Sequence, residues 1–95
     1  MVTDQFEFFF DLVQQKRAGV ASRKETERER EREQLEAWFE FMAMGHPDAT
    51  EEDRLNARDR LQAAEDRLIQ ARADLADAGR RLVIFEDYLR QCSPA

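Results

Sequence analysis

The stretch ARDRLQAAEDRLIQARADLADAGRRLVIFEDYLRQC, residues 57–92, decides the fold. Leu61, Leu68, Leu75, Leu82 and Leu89 recur every seven residues, and Ala57, Ala64, Ala71, Ala78, Phe85 and Cys92 form a second row at the same spacing. Two such rows make one continuous apolar stripe along a long helix. That stripe needs another helix to cover it. Alanine in alternate rows lets the covering axis come closer than a leucine-only seam would.

Just upstream, GHPDATEED (residues 45–53) reads as a stop, a turn and a restart. Gly45 at the C′ position with Pro47 two residues on ends a first helix. Thr50 followed three residues later by Asp53 resembles a capping box, and Glu51 and Glu52 put negative charge where the new helix dipole favours it. Before the turn, Thr3 reads as an N-cap, with Val2 as a hydrophobic staple and Asp4 and Glu7 in the first turn. The segment FEFFFDLV (residues 6–13) is apolar around more of the helix than one stripe covers, which predicts burial on two sides.

Gly19 is the one candidate break in this first arm, since glycine costs about 1 kcal/mol relative to alanine in a helix. Val20 keeps the phase of Phe6, Phe9 and Val13, which favours a continuous helix; the alternative is a separate short helix over residues 3–18 that folds back. The run SRKETEREREREQ (residues 22–34) has no large apolar side chain. With no aromatic residue and only Thr26 β-branched it is not a strand, so it reads as a solvated helix with Glu25–Arg28, Glu27–Arg30 and Glu29–Arg32 pairs. Leu35, Trp38, Phe39, Phe41, Met42 and Met44 then return apolar character to more than one face.

The expected fold is therefore all-α: one domain over residues 1–95, a long antiparallel two-helix hairpin with arms of about 3–44 and 50–91. A turn centred near Pro47 sets residue i opposite about residue 94 − i. Phe6 and Phe9 then face Phe85 and Leu89, and Gly19 and Gly79 fall at nearby levels, where a close approach of the helices is expected. The aromatic residues gather in two places: Phe6, Phe8, Phe9, Phe10, Phe85 and Tyr88 at the open end, and Trp38, Phe39 and Phe41 with Met42 by the turn. Two helices cannot cover side chains pointing in so many directions. Leu61, Leu68 and Ala71 lie opposite the charged run, which makes the same demand, and with Ala64 and Leu75 they are expected at a dimer or partner interface.

An antiparallel homodimer meets both demands by forming a four-helix bundle. In it the second helices pair about an axis near Ala71, and each turn cluster packs on the other chain's open-end cluster.

Little in the sequence points to chemistry at a site. Glu36 and Glu40 are four apart on one helix, but there is no Glu-x-x-His motif and the sole histidine, His46, sits in the turn, so no metal site is expected. Cys92 and His46 lie at opposite ends of the hairpin, which separates any Cys–His nucleophilic pair. No glycine-rich phosphate loop occurs. The expected protein is thus not an enzyme and carries no cofactor. Cys92, the sole cysteine, excludes an internal disulfide and reads as a small buried hydrophobe on the apolar row, the alternative being a bridge between two chains.

With 38% charged residues and a formal charge of −6, a nucleic-acid backbone is disfavoured as the main partner. The apolar run from Phe6 to Val13 is interrupted by Glu7 and Asp11, so neither a signal peptide nor a membrane span is read, and a cytoplasmic protein is expected. In length, equal arms and a tryptophan near the turn, the chain resembles the WXG family of bacterial secretion substrates. Trp38 is followed by Phe39 and Glu40, so the likeness is one of shape and carries no residue role. The expected function is a non-enzymatic protein–protein interaction module, an adaptor, assembly factor or inhibitor, acting as a homodimer through apolar helix faces. The alternative is a nucleic-acid-related role. It would be either an RNA- or DNA-binding hairpin dimer using Arg54, Arg58, Arg60 and Arg67, or an acidic inhibitor of a nucleic-acid-binding protein.

Overall fold

The structure is a computed structural model that describes residues 2–92, with side chains from Gln5 onward. Two helices, α1 (Val2–Ala43) and α2 (Glu51–Cys92), form the expected antiparallel hairpin, each within a residue or two of its expected bounds. Helix α1 runs unbroken through Gly19, so the separate short helix does not form. The expected cap at Thr3 and staple at Val2 rest on side chains outside the described residues.

The capping box at the start of α2 is present as written in the sequence. Thr50 Oγ1 accepts from the Asp53 amide at 3.1 Å, and Asp53 Oδ2 accepts from the Thr50 amide at 3.2 Å. The end of α1 differs from expectation in one respect: no described residue has a positive φ, so Gly45 does not form a left-handed cap. The helix instead tightens, with the Gly45 amide on the Met42 carbonyl and the His46 amide on the Ala43 carbonyl. Arg54 Nε reaches back to the Met44 carbonyl at 3.0 Å, a partner that α1 cannot supply from its own last turn, which holds no basic residue.

Contacts between the helices gather in two units, residues 25–72 and residues 1–24 with 73–95. In the first, Ala57, Ala64, Leu68 and Ala71 of α2 are buried together with Ala37 of α1. The helix that covers the leucine–alanine stripe here is therefore the chain's own α1. Its charged run does not stay wholly in water: Thr26, Glu27, Arg30, Glu33 and Gln34 are half-buried. Long side chains can lay their methylene stems on apolar surface while the charged heads reach solvent, and the alanine row leaves room for those stems. This overturns the expectation that the middle of α2 demands a second chain.

Carboxylates of the run also pair across to α2. Glu31 meets Arg72 at 3.2 Å and Glu33 meets Arg67 at 3.6 Å, while Glu40 meets Arg60 at 3.1 Å. Arg30 binds both oxygens of Glu33 at 2.8 and 3.0 Å. The pairs that cross to α2 are largely open to solvent, so each contributes at most about 1 kcal/mol. Their value lies in setting register more than stability.

In the second unit Val13 is fully buried, the Phe9 ring meets Tyr88 at 4.9 Å, Lys16 Nζ sits 5.5 Å from the Phe85 ring centre, and Arg17 pairs with Glu86 at 2.9 Å. The partners are displaced from the expected register. Counting from the turn sets Phe9 opposite residue 85, whereas it meets Tyr88, and sets Glu31 opposite residue 63, whereas it meets Arg72. Helical side chains lean toward the N-terminus, so in an antiparallel pair both partners sit C-terminal to the level where they touch. Long arginines exaggerate the offset.

The close approach expected at the glycines is also absent, because a Cβ built on Gly79 meets nothing within 4 Å. Gly79→Ala should accordingly raise stability by about 1 kcal/mol, the helix-propensity difference, as read by urea denaturation. An unchanged or lower midpoint would show that the site is filled by something other than solvent.

Candidate interaction surfaces

The fifteen residues expected at an interface separate into two groups once placed. Ala64, Leu68 and Ala71 are buried within the hairpin, and Leu61, Leu75 and Phe85 are half-buried along the same stripe. In the single chain α1 covers the seam about Ala71 where pairing of two second helices is expected. Phe6 and Phe9 are half-buried on the corresponding face of α1. What remains outward is Phe8, Phe10 and Tyr88 in one unit and Trp38, Phe39, Phe41 and Met42 in the other.

In the unit of residues 25–72, Leu35, Trp38, Phe39 and Met42 project from successive turns of α1 away from the buried stripe. Phe39 is 60% exposed, Met42 55% and Leu35 54%. Trp38 and Phe39 make an edge-to-face contact with ring centres 5.2 Å apart, which fixes the centre of the patch. The spacing i, i+3, i+4, i+7 puts four anchors on one helix face. Leu35, already marked as apolar in the sequence, joins this set through its position three residues before Trp38.

In the other unit the aromatic rings form a chain. Phe8 stands edge-on to Phe9 at 6.0 Å, and Phe9 packs on Tyr88. Ile84, one turn before Tyr88 on α2, extends the surface and is 67% exposed, as is Phe8 at 66%. Ile84 was missed from the sequence because it lies on neither row of the stripe. Phe10 stacks near Phe6 with centres 6.4 Å apart and lines a shallow hollow with Arg17, Glu86 and Leu89. No known protein family, curated protein or solved structure matches this chain.

The remaining features are polar. An open groove of about 520 Å³ runs between Lys16, Gly19 and Arg23 of α1 and Asp77 and Arg81 of α2. Its charges answer one another: Arg23 donates to the Gly19 carbonyl at 3.1 Å, and Asp77 meets Arg81 at 3.3 Å. Among the described residues no group of three His, Cys, Asp or Glu side chains could hold a metal, and no helix is long and apolar enough to cross a membrane.

Cys92 is exposed, contrary to the expectation of a buried thiol. It lies one turn beyond Tyr88 and raises the phenol's pKa, chiefly through the hydrogen bond between the two side chains and then through the thiolate's charge. Since Tyr88 is the sole tyrosine, Cys92→Ala should lower the single phenolate transition seen by ultraviolet absorbance. A midpoint that does not move would mean the two side chains are apart in solution.

Proposed function

We propose that this chain is a non-enzymatic protein-interaction module that self-associates through the apolar face built from Phe8, Tyr88 and Ile84. The observation that carries the reading is the exposure of large apolar side chains that adjoin one another within one unit: Phe8 is 66% exposed, Ile84 67% and Tyr88 48%.

Charge favours one unit over the other as the place where copies meet. Residues 1–24 with 73–95 hold seven Asp or Glu and seven Lys or Arg, and so carry no net charge. Residues 25–72 hold fourteen against eight and carry the whole of the −6. Bringing two copies together through the neutral unit buries aromatic area without opposing like charges; joining them through the acidic unit does not.

Sedimentation equilibrium at micromolar concentration tests the reading directly. A dimer mass that persists at 0.5 M salt is expected, because apolar burial is little screened. A monomer throughout that range would end it.

A further inference from the structure

We infer that the patch of Leu35, Trp38, Phe39 and Met42 is a docking face for one amphipathic helix of a partner protein, apolar on one side and rich in Lys or Arg on its flanks. The inference rests on the reading of the chain as an interaction module. It names the chemistry of a second partner for the unit in which that reading places no second copy.

The geometry supplies the apolar half. Four large side chains at i, i+3, i+4 and i+7 point outward from two turns of α1, with Trp38 and Phe39 in edge-to-face contact at the centre. This is the spacing with which one helix engages another through a short hydrophobic contact. Large aromatic side chains with few rotatable bonds lose little entropy on docking, so they are efficient anchors.

The sequence around the patch supplies the charge. Between Arg32 and Arg54 there is no Lys or Arg, while Glu33, Glu36, Glu40, Asp48, Glu51, Glu52 and Asp53 all fall there. Glu36 lies one turn before Phe39 on the same helix and so borders the anchors, while Glu40 is held by Arg60 at 3.1 Å. Arg32, one turn before Leu35, is the nearest base, and the unit of residues 25–72 as a whole still carries a net charge of −6. A second copy would set this acidic border against its own kind. A lysine- or arginine-flanked helix would meet opposite charge on the rim and bury its apolar side on the rings.

Trp38 is the sole tryptophan and lies inside the patch, so its fluorescence reports occupancy. The probe is an 18-residue synthetic helix with leucine along one face and lysine on the others; a second peptide carries glutamate in place of every lysine. The lysine peptide should shift Trp38 emission to the blue, saturate in the micromolar range, and weaken about tenfold or more with Phe39→Glu and severalfold with Glu36→Lys. Both side chains are exposed, and circular dichroism checks that each variant keeps its helices. Phe8→Ser, in the other unit, should leave the titration unchanged.

Equal binding of the glutamate peptide, no shift with the lysine peptide, or insensitivity to Phe39→Glu would each overturn the inference. So would an emission change on simple dilution of the protein that Phe39→Glu abolishes, since a second copy would then hold the patch. Sedimentation of the chain alone reads self-association separately, so either reading can fail without the other.

Discussion

An Ala64→Glu variant should lose about 3–5 kcal/mol of folding stability, a large part of the roughly 5–14 kcal/mol expected for a chain of this length. Ala64 is 2% exposed, so a glutamate there must either displace α1 or bury its carboxylate. Overfilling a packed site costs about 1–3 kcal/mol, and an unpaired buried charge adds several more. Urea denaturation followed by circular dichroism measures the loss. A change below about 1 kcal/mol would show that α1 does not cover this seam in solution. The same argument makes Ala71→Glu a test of folding more than of association, because Ala71 is buried by the chain's own first helix.

The second large effect is on association. The double variant Phe8→Ser with Ile84→Ser should weaken self-association about a thousandfold or more while leaving the hairpin folded. Each side chain is about two-thirds exposed in the single chain, so little folding energy is at stake in either. Burying the exposed part at an interface is worth about 1–2 kcal/mol per side chain, and twofold symmetry counts each residue twice. Equilibrium sedimentation across a concentration series reads the shift, and circular dichroism establishes that the hairpin is intact. A dimer that survives the double variant would move the interface to another face.

Much of the fold was legible before any coordinates, and the reasons are local. The seven-residue spacing of Leu61 to Leu89 writes a helix face directly into the chain, because the helical period fixes which side chains share a side. Thr50 and Asp53 announce α2 through hydrogen bonds that span three residues. Phase continuity from Val13 to Val20 is enough to carry α1 past Gly19.

What covers the stripe was not legible, because it depends on how long polar side chains behave when a second helix is near. Residue type marks Glu27, Arg30 and Glu33 as solvent-facing; only across from an alanine row do their stems have somewhere to lie. Register had the same blind spot, since counting residues from the turn ignores the lean of each side chain toward its own N-terminus. The interface list split for that reason too. Helical period alone placed Leu61, Ala64 and Leu68 on one face, but periodicity cannot say whether that face meets the chain's own first helix or another molecule; burial in the folded hairpin assigns it to the former and leaves Phe8, Ile84, Trp38 and Phe39 outward.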